Sequence, residues 1–134
     1  MSVAASAITT VVQGRRDRER WGREQAADHE RWLREQRLAA YLDVVRTADR
    51  YSIRASRTGA LSEDIQNALA SVRLLGPEAV LDSALRLYVA ADKHATATAE
   101  PDANPEATKT TSFDLNEKRQ AVVKAARDAL GILE

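Results

Sequence analysis

Cysteine is absent from this chain, and aromatic residues make up only 4% of its 134 residues. The lack of cysteine excludes disulfides, thiolate-bound zinc and cysteine nucleophiles. With so few aromatics, a core must be built from alanine, leucine and valine, which bury little area per residue. At ~25 cal/mol per Å² of buried apolar surface, such a core leaves a small stability margin. The composition is therefore consistent with stabilisation by oligomerisation.

Long apolar runs and net charge are missing as well. No run of about 18 apolar residues exists, so the sequence predicts no complete transmembrane helix. The short apolar start, residues 1–12, lacks the basic region that precedes the apolar part of a secretory signal peptide. Lys+Arg and Asp+Glu both number 20, so net charge gives no argument for nucleic-acid or membrane binding. We expect a cytoplasmic protein, with membrane association left open.

The longest pattern is a helix predicted over residues 13–57. Its first part, residues 13–37, alternates arginine with carboxylates, and several pairs have the i,i+4 spacing that supports a solvated helix. Its second part, residues 38–57, carries the broad apolar face of a core helix. We therefore predict a charged arm that extends about 37 Å beyond the core, at a rise of ~1.5 Å per residue.

Three shorter helices are predicted over residues 62–75, 77–94 and 114–133. Residues 96–112 have the Thr-, Ala- and Pro-rich composition of a low-complexity linker. Asp114 and Glu117 have the spacing of a capping box. The predicted buried positions are Leu38, Tyr41, Leu42, Val45, Ala48, Tyr51, Ala55, Ile65, Ala68, Leu69, Val72, Leu75, Val80, Leu81, Ala84, Leu85, Leu87, Tyr88, Leu115, Val122, Ala126, Ala129 and Leu133.

No period-two segment stands out, so no sheet is predicted. The predicted fold is all-α, an antiparallel four-helix bundle with a much longer, protruding first helix. The chain divides into an apolar N-terminal segment (1–12), a charged helical arm (13–37) and a small bundle (38–134).

The arm contains a short repeat, in which ERWGREQ (residues 19–25) recurs as ERWLREQ (residues 30–36). The period of eleven is close to three helical turns, so Trp21 and Trp32 are predicted to lie on one side. A heptad-like stripe of mostly small and polar residues also runs along the arm. The predicted partner-binding residues are Trp21, Ala26, Trp32 and Leu33. The alternative is that both indoles pack as ordinary structural aromatics.

A cluster of arginines stands at the start of the arm. A basic helix can track phosphates or lipid headgroups, so these side chains are candidate phosphate or headgroup contacts. Asp17, Glu19 and Glu24 are interleaved with them and would repel the same phosphates, which disfavours nucleic acid. The cluster consists of Arg15, Arg16, Arg18, Arg20 and Arg23.

Signals for catalysis and metal binding are weak. His29 and His94 have no partner at metal-ligand spacing. Glu24 and Asp28 are four residues apart and could mimic an acid pair, but neighbouring arginines can neutralise them. Serine-nucleophile motifs and Gly-rich phosphate loops are absent. The sequence therefore predicts no enzyme, no catalytic residue, no metal site and no cofactor.

The apolar start running into QGRR, followed by ERW and RWLREQRLAAYLDVV, resembles a type of small actinobacterial helical protein. Those proteins have an N-terminal transmembrane anchor, an Arg-rich juxtamembrane helix and a small helical domain. The resemblance places residues 13–16 at a membrane exit and residues 37–41 at the opening of the domain, and the final AVVKAARDALGIL also fits. The anchor is expected to be truncated, lost or converted to an interfacial or partner-binding segment here, because only residues 2–12 precede QGRR. The resemblance implies no activity.

Three functions remain as hypotheses. The leading one is a non-enzymatic interaction or scaffolding protein that self-associates or docks a protein partner through its long N-terminal helix. The first alternative is peripheral membrane attachment through residues 1–12 and the arginine cluster. The second is a helical nucleic-acid-binding protein, which the interleaved carboxylates disfavour.

Overall fold

A computed structural model of the chain describes residues 2–99 and 103–132, except for the side chains of residues 2–12 and of Ala55. Within these ranges the backbone forms four α-helices and one short 3-10 helix, with no strand. The predicted all-α bundle with a much longer first helix is confirmed. The elements are α1 (Ser2–Tyr51), the 3-10 helix (Arg54–Ser56), α2 (Gly59–Leu75), α3 (Glu78–Ala99) and α4 (Pro105–Leu130).

The chain divides into two compact units, Met1–Arg34 and Glu35–Glu134. The first unit consists of the N-terminal part of α1. The second contains the rest of α1, the other three helices and the hydrophobic core. The division falls at Arg34, close to the predicted boundary at residue 37.

The first helix ends at Tyr51, so the predicted end at residue 57 is wrong. Ser52 donates its hydroxyl to the carbonyl of Asp49 at 2.6 Å, and Ile53 is extended with a φ of −107°. A serine hydroxyl that bonds to the preceding turn competes with helix continuation. The chain therefore leaves the helix here and passes through the 3-10 helix before α2.

The second helix begins at Gly59, three residues before the predicted start at Ser62. Thr58 is the N-cap, and its Oγ1 accepts a hydrogen bond from the backbone N–H of Leu61 at 3.1 Å. Such a bond satisfies one of the free N–H groups of the first turn. Gly59 is therefore the first residue of the second helix.

The core lies among the four helices of the unit Glu35–Glu134. Each helix contributes a fully buried side chain, namely Val44, Val72, Leu87 and Val122. Most of the predicted positions on α2, α3 and α4 are buried or packed against this core. The exception among them is Leu85, which is 41% exposed. Leu133 lies outside the described residues.

Four predicted positions on the first helix are confirmed, because Tyr41 and Ala48 are buried and Val45 and Tyr51 pack against the core. The predicted burial of Ala55 concerns a side chain outside the described ones.

Two other positions of the first helix differ from the prediction. Ala40 and Val44 are buried, whereas Leu38 and Leu42 are 48% and 45% exposed. The buried side of α1 includes Val44, which lies about 120° around the helix from Leu38 and about 160° from Leu42. The predicted burial of Leu38 and Leu42 is therefore wrong.

The turn between α2 and α3 is held by side chains from α1. The Arg37 guanidinium donates from Nε to the carbonyl of Leu75 at 2.9 Å, and the Tyr41 hydroxyl donates to the carbonyl of Gly76 at 2.5 Å. Both acceptors are carbonyls at the C-terminal end of α2, which otherwise lack helical partners. Gly76 has a φ of +61°, a conformation that favours glycine. Pro77, predicted as the first helical residue of α3, lies just before it.

The predicted linker over residues 96–112 is mostly helical, so this prediction is wrong. The third helix continues to Ala99, and α4 begins at Pro105. Asn104 caps α4, because its side-chain oxygen accepts from the N–H of Glu106 at 3.0 Å. Pro105 stands in the first turn, where a missing N–H is tolerated. The predicted capping box at residues 114–117 therefore lies inside the helix.

Two buried tyrosines have pKa values above the ordinary range. Burial raises the pKa of Tyr41, against a smaller lowering by Arg37. Burial also raises the pKa of Tyr88, against the hydrogen bond with Thr47, whose hydroxyl lies 2.5 Å from that of Tyr88.

Because the pKa values of these tyrosines are raised, we expect the protein to lose stability in alkaline solution. The unfolded chain loses its tyrosine protons near pH ~10, before the buried groups lose theirs. The tyrosine contribution to the free energy of unfolding should be complete below pH ~10 and disappear as the pH rises through the raised values. The free energy of unfolding, measured with urea at each pH, should fall more steeply with rising pH for the wild type than for Tyr41→Phe plus Tyr88→Phe. An equal fall with pH in both proteins would contradict the prediction.

Candidate functional site

The N-terminal part of α1 is exposed to solvent around its whole circumference. Among residues 13–32, whose side chains are all described, every residue except Gly14 is exposed. Trp21 is 63% exposed and Trp32 is 51% exposed. Helices in proteins gain most of their stability from packing an apolar face, and this segment has no such face buried. It is therefore the candidate binding surface of the chain.

The two tryptophans share one side of the helix. Because α1 is continuous, residues eleven apart differ by about 20° around the axis and about 16.5 Å along it. The ring of His29 stacks on Trp32, with ring centroids 5.9 Å apart and an interplanar angle of 23°. The stacked pair makes a wider flat surface than the indole alone.

The other two predicted partner-binding residues lie on a different side. Ala26 follows Trp21 by five residues, which places it about 140° around the helix. Leu33 follows Trp32 directly and lies about 100° from it. Ala26 is exposed and Leu33 is half-buried. The helix therefore brings Trp21 and Trp32 together and separates them from Ala26 and Leu33.

The predicted arginine cluster lies entirely on the protein surface. All five members, Arg15, Arg16, Arg18, Arg20 and Arg23, are exposed. Arg23 donates from Nε to the carbonyl of Glu19 at 3.4 Å, within its own helix. An ion pair within this unit joins Arg31 to Asp28 at 4.0 Å. Arg16, Arg20 and Arg23 lie within about 60° of one another around the helix, whereas Arg15 and Arg18 lie on other sides.

Glu24, Asp28 and the two histidines do not converge on a reaction centre. Glu24 and Asp28 are exposed, and Asp28 contacts Arg31. His94 is half-buried, and its Nδ1 lies 2.9 Å from the hydroxyl of Thr111 on α4. Within residues 2–99 and 103–132, no three His, Asp or Glu side chains are grouped as metal ligands would be.

A second surface feature, which the sequence did not predict, is a groove beside α2 and α3. It has a volume of about 510 Å³ and lies in the unit Glu35–Glu134. Arg57 lines it, with its guanidinium carbon 3.8 Å from the ring centroid of Tyr51 and its Nη1 3.0 Å from the carboxylate of Asp92. Its apolar lining comprises Leu61, Ile65, Leu69, Leu85 and Val89.

Arg57 fastens the segment between α1 and α2. Besides the ion pair and the ring contact, its Nε donates to the carbonyl of Tyr51 at 3.1 Å. Its Nη2 is buried and has no hydrogen-bond acceptor in the described part of the chain. The sequence predicted Arg57 at the end of a long helix, and no motif around it indicates that it holds the segment between α1 and α2.

Replacing Arg57 with alanine should destabilise the bundle by ~1–2 kcal/mol. The variant loses a cation–π contact, a partly screened ion pair and a bond to a helix-end carbonyl. Chemical denaturation of Arg57→Ala and of Arg54→Ala, a nearby exposed arginine, measures the difference. Equal stabilities for the two variants would show that these contacts contribute nothing.

Comparison with known proteins gives no relative. No protein-family model matches the chain, and no curated protein or solved structure matches it either. The resemblance to actinobacterial juxtamembrane proteins therefore stays a prediction. No helix within the described residues has the length and apolar character needed to cross a membrane.

Proposed function

We propose that this chain is a non-enzymatic interaction or scaffolding protein that associates through its N-terminal helix, with another copy or with a protein partner. The supporting observation is the exposed segment 13–32, which carries both tryptophans of the chain on one side. An arm of this kind adds nothing to the buried core of the unit Glu35–Glu134. Its tryptophans are consistent with a surface that is covered on association.

The two indoles are the side chains whose burial should stabilise the associated state most. Tryptophan buries roughly 150–250 Å² when it is covered, and more than half of each indole-bearing residue is still exposed here. Covering such a side chain contributes roughly 1.5–3 kcal/mol. Tryptophan and arginine are also the residues that most often dominate binding energy at interfaces. Two such side chains lie about 16.5 Å apart on one helix, so one partner surface can cover both.

The proposal can be tested with the chain's own fluorescence. Trp21 and Trp32 are its two tryptophans, so their emission reports only on this helix. We expect the emission to shift to shorter wavelength, and the mass in solution to rise, as the protein concentration is raised. The variant Trp21→Ala plus Trp32→Ala should remain at the lower mass.

The matched control is Phe113→Ala, which removes an aromatic side chain that is 71% exposed on α4. This control should associate as the wild type does. If the double tryptophan variant also associates as the wild type does, the tryptophans are not the binding surface and the proposal fails.

A second candidate function is peripheral membrane attachment. It is supported by the continuity of α1 from Ser2 through the arginine cluster, which puts the apolar start and the basic residues on one helix. In that case the protein is cytoplasmic and membrane-associated. Anionic vesicles should carry the wild type upward in flotation at low salt, and Val11→Asp plus Val12→Asp should remove the effect. Absence of flotation rejects this candidate.

A further inference from the structure

One side of the arm combines tryptophan with carboxylates. Asp17, Trp21, Glu24 and Asp28 follow one another at spacings of four, three and four residues, which keeps them within about 60° around the helix. All four are exposed. Trp32 continues this row one turn further. We call these four residues the acidic row.

A neighbouring side carries the opposite charge in the same pattern. Arg16, Arg20, Arg23 and Ala27 have the same spacings of four, three and four, shifted by one residue. A shift of one residue corresponds to about 100° around the helix. These four residues are also exposed, and we call them the basic row.

The charges of both rows remain available to a partner. In the described part of the chain, no ion pair within 4.0 Å involves Asp17, Glu24, Arg16 or Arg20. Asp28 has a long contact with Arg31, at 4.0 Å, and Arg23 bonds a backbone carbonyl of its own helix. Surface contacts of this kind are weak and can be exchanged on binding.

We propose that the acidic row of one copy docks on the basic row of a second copy, with the two helices side by side. This inference rests on the proposed function and names its partner. Equal spacing lets the rows match residue for residue, and an arginine of the second copy can stack on Trp21 as a cation on an aromatic face. Pairing two acidic rows would instead oppose three carboxylates of each copy, which is repulsive.

The contact is heterologous, because each copy offers its acidic row to one neighbour and its basic row to another. Such contacts continue beyond a dimer unless a ring closes. They also weaken with salt, because the screening length falls from about 8 Å at physiological ionic strength to about 3 Å at 1 M. Association should therefore decrease steeply as salt is added.

The test uses two charge-reversed forms of the full chain. The first carries Asp17→Arg, Glu24→Arg and Asp28→Arg, and the second carries the reversal of the basic row. We expect each form alone to associate roughly 10-fold more weakly or worse than the wild type. An equimolar mixture should regain association, because each reversed row then meets a row of opposite charge. The second form carries Arg16→Glu, Arg20→Glu and Arg23→Glu.

Restoration in the mixture excludes misfolding as the cause of the loss in either form. Association of the basic-row form at wild-type strength, together with loss in the double tryptophan variant, overturns this inference and leaves the proposed function standing. Association of all these variants at wild-type strength overturns both. A mixture that stays dissociated, or a wild type that is monomeric at every concentration, also overturns the inference.

Discussion

Replacing Ala26 with proline should abolish association while leaving the unfolding of the bundle unchanged. Proline removes one backbone hydrogen bond and clashes with the carbonyl four residues earlier, at a cost of ~3 kcal/mol or more in a helix interior. Ala26 lies between Trp21 and Trp32, so a break there destroys their alignment and that of both charged rows. We expect a monomeric mass and unshifted tryptophan emission at all concentrations.

The stability of the bundle should not change, because the unit Glu35–Glu134 contains its own buried core. Thermal unfolding of Ala26→Pro should therefore keep the midpoint of a monomeric wild-type sample at low concentration. Ala26→Ser is the matched control, since serine lowers helix propensity by only ~0.5 kcal/mol. It should associate almost as the wild type does. Undiminished association of the proline variant would show that the helical arm is not required.

Replacing Leu87 with alanine should have the largest effect on the stability of the bundle. Leu87 is completely buried on α3, in the centre of the cluster that joins all four helices. Truncation of such a leucine costs ~2–5 kcal/mol, because transfer free energy is lost and a cavity is left. That is a large fraction of the ~5–15 kcal/mol typical of a domain, so the melting temperature should fall by roughly 10 °C.

The matched control is Leu85→Ala, two residues away on the same helix. Leu85 is 41% exposed at the edge of the groove, so its truncation should cost ~1 kcal/mol or less. Calorimetry of both variants at one concentration separates the two positions. Similar losses for Leu85→Ala and Leu87→Ala would contradict the assignment of the core.

The sequence predicted the helices better than the sides they bury. The charge pattern and absence of breaks were sufficient for a long first helix, but Leu38 and Leu42 were predicted to be buried and are half-exposed. Their hydrophobicity does not reveal that the smaller Ala40 is buried while they stay partly exposed. Which side of a wide apolar face is buried depends on the neighbouring helices, and a single sequence does not contain that information.

For the segment 96–112, amino-acid composition alone led to a wrong prediction. Its threonines and prolines suggested a linker, yet Thr110 and Thr111 lie in α4 and bond to the carbonyls four residues earlier. Those bonds satisfy the hydroxyls inside the helix. The useful signal was Asn104 followed by Pro105, the N-cap and first-turn pair that begins α4.

The candidate site was predictable only where it depends on helical periodicity. The repeat at a period of eleven placed Trp21 and Trp32 on one side, because this follows from a continuous helix alone. Grouping Ala26 and Leu33 with them ignored an angular separation of about 100° or more. Arg57 could not be predicted, since its contacts with Tyr51 and Asp92 depend on a turn whose position the sequence did not show.

The most direct measurement for the central claim is the mass in solution as a function of concentration, recorded with the tryptophan emission on the same samples. The account predicts a mass that rises above that of the monomer at low salt, with emission shifting to shorter wavelength in parallel. Both changes should be reversed by added salt. A monomeric mass with constant emission over the whole range, or a rising mass that leaves the emission of Trp21 and Trp32 unchanged, would contradict it.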